Sequence, residues 1–238
     1  MNMKKIIIVA GGFGSGKTEI SLNLAFQYAH EHKVTLVDLD IVNPFFRTTE
    51  RKKEIESAGI KLLSPTFTSS GVEIPALPAD IYSAFADRSE YVIFDVGGDD
   101  TGAIALGQYK HFFEQADNVE FMYVINARRP FSATVDLVME MFSQIGLIGR
   151  LKPDVLINNS NLANETTVDD LLEGYDLVRD VSKKTGLPVK YTVGTEDVLK
   201  EFEKEAENRS FDKKYIGELL PIMRYMHRDW DRFVEGGL

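Results

Sequence analysis

The densest chemical signal in the chain is the run Gly11-Gly12-Phe13-Gly14-Ser15-Gly16-Lys17-Thr18. It satisfies the spacing G-x-x-x-x-G-K-[ST], with an apolar run before it and an amphipathic stretch after it. Gly11, Gly14 and Gly16 permit backbone angles that side chains resist, so consecutive N–H groups can turn inward around an anion. A helix starting near Lys17 adds its partial positive N-terminus. The spacing assigns Lys17 to the β- and γ-phosphates of a nucleotide and the Thr18 hydroxyl to Mg²⁺. The stretch expected to contact nucleotide runs from Gly11 through Glu19.

Hydrolysis needs more than a phosphate cradle, because the metal needs oxygen ligands and the attacking water must be positioned. Two acidic segments close apolar runs. In VDLDIVNPFFR, Asp38 and Asp40 end one run, and Asn43-Pro44 reads as a capped helix start. In YVIFDVGGDD, Asp95 ends another and forms D-x-x-G with Gly98, followed by Asp99, Asp100 and Thr101 as a switch loop. A strand-end aspartate alone reads equally as a helix cap or a solvated turn residue. Beside the cradle, Asp38 and Asp40 become candidate catalytic residues with Lys17, and Thr18, Asp38 and Asp95 become candidate metal ligands.

The elements that must carry these residues are legible from periodicity. Val/Ile-rich runs at Lys5–Ala10, Val34–Asp38, Lys61–Leu63, Tyr91–Asp95, Glu120–Ile125, Asp154–Asn158 and Val189–Val193 suit parallel strands covered on both faces. Helical spacing marks Thr18–His30, Ser132–Ile145 and Thr167–Ser182, the last opening with Thr-x-x-Asp as in a capping box. The alternation predicts an α/β fold: a doubly wound, mostly parallel sheet with helices on both faces. In such sheets ligands lie beyond the carboxyl ends of the strands, which is where Asp38, Asp40, Asp95 and the glycine loop all fall. The reading is a single domain over residues 1–238, with Ser64–Pro78 a long loop and a C-terminal helix at about 211–235.

Composition narrows the function classes. The chain has 238 residues, 44% of them hydrophobic, and no cysteine, which excludes disulfides and thiolate metal sites. The formal net charge of −10 argues against nucleic acid as a partner. The lysines before the first apolar run resemble a secretion signal, but that run is short and ends in the glycine loop, so it reads as a first strand. These features point to the cytoplasm. The four histidines support no acyl-transfer triad. His30 and His32 read as cations at a helix end, without a third metal ligand nearby. In the tail, Ile222, Tyr225, Met226, Trp230 and Phe233 share one helical stripe with Arg224, Arg228 and Arg232 between them. A membrane surface or the domain itself can cover such a stripe, and the interspersed acids favour the domain.

The order of GGFGSGKT, VDLDIVNP, DVGGDD, VLINNSN and VKYTVGTEDVL resembles the MinD/ParA/CobQ-type ATPases of the P-loop superfamily, over most of the chain up to about Asp197. The resemblance implies a Mg²⁺-dependent ATPase acting as a nucleotide-driven switch on a protein partner, with a homodimer as one assembly. It places Asp38 near Mg²⁺, Asp40 near the attacking water and Asp95 on a metal-bound water. It assigns base reading to Asn158 or Asn159, with Asn159 preferred, and closes the loop Gly194–Asp197, with Gly194 and Thr195, over the base edge. No N-K-x-D guanine signature is present, which favours adenine. The chain departs from the family at Gly12, where many members carry a lysine that reaches across a dimer. Lys4 and Lys5 lie on the strand and cannot substitute. Arg128 and Arg129 stand as candidate substitutes, or as a solvated loop pair. Two other readings follow from the same residues: a nucleotide-gated binding module with negligible turnover, and an ATP-dependent small-molecule ligase or kinase.

Overall fold

The computed structural model describes residues 4–40, 51–64 and 81–226. Its elements run in the order β1 (Lys5–Gly11), α1 (Lys17–Ala29), β2 (Val34–Leu39), α2 (Lys52–Ser57), β3 (Lys61–Leu63), α3 (Ile81–Ala86), β4 (Tyr91–Val96), α4 (Asp100–Gln108), α5 (Lys110–Gln115), β5 (Val119–Ile125), α6 (Val135–Gly149), β6 (Val155–Asn158), α7 (Val168–Thr185), β7 (Val189–Gly194), α8 (Glu196–Asn208) and β8 (Glu218–Pro221). The described strands form one eight-stranded sheet of order β3-β2-β4-β1-β5-β6-β7-β8. Every pairing in it is parallel.

Both faces of the sheet are covered, which is why the central strands are apolar throughout rather than alternating. In β1, Ile6, Ile8 and Ala10 join one buried cluster with Phe94, Phe121, Tyr123 and residues of α4 to α7. Ile7 and Val9 point the other way, to Ile20, Leu24 and Ala25 of α1. The pleat therefore also decides which face each acid takes. Asp38 and Asp95 are register partners on adjacent strands, and both alternate onto the α1 face.

The two edges of the sheet do different work. At the amino ends of the strands, Glu120 lies between Lys5 at 3.2 Å and Lys190 at 2.6 Å, and Lys4 binds Asp87 at 3.0 Å. These cations serve the fold at the edge opposite the glycine loop, so neither lysine substitutes at position 12. The carboxyl ends carry the glycine loop and the polar residues.

Over residues 211–226, its described part, the chain end differs from the expected helix. Among the described residues, 213–215 form a 3₁₀ turn, Gly217 adopts φ 68°, and Glu218–Pro221 pair with β7 as an edge strand. Gly217 is needed there because a β-carbon would sit 2.4 Å from the Lys190 carbonyl. Leu219 and Leu220 then fall on opposite faces, one against α8 and one against the α1 side. A proline four residues after that glycine suits a strand edge and not a helix interior. Ile222, Tyr225 and Met226 do cover the domain beside α1, and Tyr225 stacks on Phe26 at 4.7 Å. Trp230, Phe233, Arg228 and Arg232 lie outside the described residues, as do Asn43-Pro44 and most of the Ser64–Pro78 loop. Among the described residues no helix is long and apolar enough to cross a membrane.

Helix α7 locks against the loop that leaves β6. Gly174, midway along α7, leaves no room for a β-carbon, which would lie 2.3 Å from Ser160 Oγ and 2.4 Å from Asn158 Oδ1. Alanine at this position gains about 1 kcal/mol of helix propensity, but the overpacking costs about 2 kcal/mol or more. Urea unfolding of Gly174→Ala is predicted to show a net loss of stability; an unchanged or higher midpoint contradicts this packing.

Candidate functional site

The loop between β1 and α1 sits at the centre of the carboxyl edge. Gly14 and Gly16 adopt φ 70° and 90°, the left-handed region that side chains resist, and Gly16 is the N-cap of α1. No side chain caps that helix, so its first N–H groups open onto the loop. Lys17 folds back over the loop, with Nζ 3.1 Å from the Gly12 carbonyl. Gly98 of the D-x-x-G segment presses on the same place. A β-carbon there would lie 2.8 Å from both Lys17 Nζ and the Phe13 Cα, so glycine alone admits the approach.

The acids stand beside this loop. Asp95 is fully enclosed and accepts a hydrogen bond from Ser21 Oγ at 3.2 Å. Burial pushes its carboxyl up to about 7, and the charge of Asp38 adds to the rise; the Thr18 hydroxyl and Lys17 ammonium pull the other way. Asp38 is also buried and accepts the Asp40 N–H at 2.9 Å, an Asx-type turn that redirects the chain past β2. Thr18, Asp38, Asp40, Asp95 and Lys17 are thus brought together. Asp99, by contrast, caps α4 by accepting the Gly102 N–H at 3.0 Å, and Asp100 and Thr101 are helical. The expected switch loop is therefore a helix start in this structure.

The other flank is built by the loops after β5 and β6, and Asn126 is its hub. This fully buried residue accepts the N–H groups of Arg128 (2.9 Å) and Asn161 (3.1 Å) on Oδ1 and donates to the Asn161 carbonyl at 3.2 Å. Its own carbonyl accepts from Arg129 N and Ser132 Oγ. Sequence reasoning missed Asn126; a lone asparagine ending an apolar strand, ahead of two arginines, was the available signal. Asn159 Nδ2 donates to the Ser15 carbonyl at 2.7 Å, and the side chain is 2% exposed. The residue expected to read a base thus ties the loop after β6 to the glycine loop. The Asn159 N–H continues the sheet by donating to Ile125, which turns its side chain under the glycine loop.

The other residues expected to meet the nucleotide lie on α1 and at the junction of β7 with α8. The Glu19 carboxylate accepts the N–H groups of Tyr225 and Met226, the latter at 3.1 Å, and so anchors the chain's last described residues. Gly194 ends β7, and its carbonyl accepts from Ile222. Thr195 is the exposed N-cap of α8, so Glu196 and Asp197 belong to a helix and not to a closing loop. The arginines are not a solvated pair: Arg128 binds Asp170 and Glu173 on α7, while Arg129 Nε donates to the Gly14 carbonyl at 3.0 Å. His32 faces Glu90 at 3.6 Å and Tyr91.

A phosphate chain with a divalent cation fits this donor set. Among the described residues Ser15 Oγ is buried without a hydrogen-bond partner, beside the positive-φ glycines and the start of α1. Among the described residues no group of three or more His, Cys, Asp or Glu could hold a metal alone. Asp38, Asp95 and Thr18 would therefore hold Mg²⁺ jointly with phosphate oxygens and water, as that ion prefers.

Residues 6–220 match the family described as the CobQ/CobB/MinD/ParA nucleotide binding domain. Among solved structures, the cell division protein FtsY of Thermotoga maritima aligns with a TM-score of 0.53 at 19% identity, over 82% of this chain and 65% of that one. Chloroplast FtsY of Physcomitrella patens gives 0.55 at 15% identity, over 81% and 59%. The signal recognition particle 54 kDa protein of Aeropyrum pernix, solved in complex with GDP, gives 0.51 at 20% identity, over 80% and 41%. This chain therefore spans less than two thirds of each of these proteins, and at such identities the likeness shows the fold. No curated protein sequence matches the chain.

The buried Asp95 yields a prediction. Its folded value lies above the ordinary carboxylate range, so the native state holds a proton that the unfolded state has lost. Metal-free stability therefore falls as pH rises from about 4 through about 7. Asp95→Asn is expected to melt at or above the parent temperature at pH 8 without metal, with the gap closing below about pH 4. The same variant is expected to bind Mg²⁺–nucleotide about tenfold more weakly or worse. A variant that melts well below the parent at pH 8, yet binds normally, contradicts this assignment.

Proposed function

The chain belongs to the CobQ/CobB/MinD/ParA family of nucleotide-binding domains, and we propose that it is a Mg²⁺-dependent ATPase whose nucleotide state switches its affinity for a partner protein. The observation that carries this reading is the meeting of Lys17, Thr18, Asp38 and Asp95 at one point on the carboxyl edge, all four buried below one tenth exposure without an apolar reason to be there. Lys17 would exchange the Gly12 carbonyl for the β- and γ-phosphates. The loop N–H groups and Ser15 Oγ would complete the cradle. Thr18 and Asp38 would face the metal, Asp95 would hold one of its waters, and Asp40 would orient the attacking water. The metal, when bound, supplies charge neutralisation at the oxygens of the breaking bond.

Adenine is favoured because the loop after β6 reads Asn158-Asn159-Ser160-Asn161 and lacks the acidic guanine-reading residue. Asn159 is occupied by the loop, so base contacts fall to Gly194 and the exposed Thr195 at the start of α8. A guanine nucleotide is the competing reading, supported by the GDP held by a protein of this fold. Gly98 would carry the nucleotide state to α4: it packs close to Phe13 and Lys17 and leads into that helix. A phosphate that displaces either of them moves that helix start. The position 12 departure predicts slow turnover in the isolated protein.

Phosphate release from Mg²⁺–ATP and Mg²⁺–GTP, measured on parent and Lys17→Ala, tests the reading. The expected result is release from ATP that falls about 100-fold in the variant. Equal release by both proteins overturns the assignment, and preference for GTP overturns the base assignment alone.

A further inference from the structure

Two consecutive arginines leave β5, and the extended backbone at Arg129 (φ −105°, ψ 135°) sends their side chains in opposite directions. Arg128 turns to α7, where Asp170 and Glu173 neutralise it. Arg129 turns to the glycine loop. Its Nε donates to the Gly14 carbonyl, and Nε and Cδ lie 3.3 and 3.5 Å from where a Gly14 β-carbon would begin. A β-carbon at position 14, besides being strained at φ 70°, would crowd that side chain. Among the described residues, neither terminal nitrogen of Arg129 has a hydrogen-bond or ion-pair partner, although the side chain is half-buried.

The backbone carrying this arginine is not a casual loop. The Asn126 carbonyl accepts the Arg129 N–H at 3.1 Å, and the Asn126 side chain fixes Arg128 and Asn161. A guanidinium is therefore held at the rim of the cradle on the flank opposite Asp38 and Asp95, anchored by one nitrogen and open at the other two. Guanidinium nitrogens in a planar fork match phosphate oxygens, and a half-buried setting screens the charge less than open solvent.

We propose that Arg129 is a phosphate-binding residue of this chain's own nucleotide site: Nε holds the Gly14 carbonyl while the terminal nitrogens bind the phosphate chain. The inference rests on the nucleotide-binding reading and adds a second cation, supplied in cis, to Lys17. It explains why Gly12 can stand without a charge: a β-carbon there meets only Met141, at 4.0 Å, so space does not enforce the glycine.

Affinities for mono-, di- and triphosphate forms of the preferred nucleoside separate a charge contact from a structural clamp. Arg129→Gln keeps an N–H donor for the Gly14 carbonyl and removes the charge; Arg129→Lys keeps the charge. The glutamine variant is expected to lose about tenfold in triphosphate affinity, with smaller losses for the diphosphate and least for the monophosphate. The lysine variant is expected to retain most of the affinity. An equal loss across the three ligands, or no loss, overturns the proposal. Should the glutamine variant unfold, the parent protein gives the answer: phenylglyoxal modification of Arg129, read by mass spectrometry, is expected to slow in the presence of Mg²⁺–triphosphate, and an unchanged rate overturns the proposal. Triphosphate binding that Lys17→Ala abolishes and Arg129→Gln leaves intact defeats this inference alone.

Discussion

A peptide unit that points its N–H toward an anion must point a carbonyl away from it, and that carbonyl needs a donor of its own. This constraint organises the site. The glycine loop has three carbonyls held by side chains: Gly12 by Lys17, Gly14 by Arg129 and Ser15 by Asn159. The donors come from α1, from the loop after β5 and from the loop after β6. The cradle is thus not a property of its glycines alone. Its shape is set by neighbouring strand ends, so the site is preorganised by the same sheet that gives the domain its core.

The parallel sheet also sorts charge. With β1 in the middle of the order, the acids arrive from β4 and β2 on one side, and the amide and guanidinium donors from β5 and β6 on the other. The arrangement suits a ligand with a metal at one flank and bare phosphate oxygens at the other. Burial of Asp95 beside Asp38 disfavours two negative charges, and a divalent cation would relieve that cost. Function and stability are opposed at this pair, as expected where a site is built for a charge it must receive.

Much of this was legible in the sequence because it depends on local rules. A strand–glycine loop–helix transition has a fixed spacing, and strands covered on both faces advertise themselves as unbroken Val/Ile runs, so the sheet, the loop and the acids ending β2 and β4 could be read directly. The contacts that the sequence did not reveal share another physical origin. Glu19, Asn159 and Arg128 have the right type and neighbourhood for ligand work, yet each is claimed by a partner distant in sequence: Tyr225 and Met226, Ser15, and Asp170. Asn126 was passed over for the same reason, since its partners lie in two other loops. The tail looked helical because Ile222, Tyr225 and Met226 keep a helical spacing. Gly217 and Pro221 override that pattern, and pairing with β7 decides the outcome.

The account stands on the cradle accepting a triphosphate with its metal. Calorimetric titration of folded protein with Mg²⁺–ATP and with Mg²⁺–GTP is the most direct measurement of that. Saturable uptake of a single equivalent per chain, tighter for ATP and dependent on magnesium, is the predicted result. Well-folded protein that takes up neither nucleotide would contradict the account.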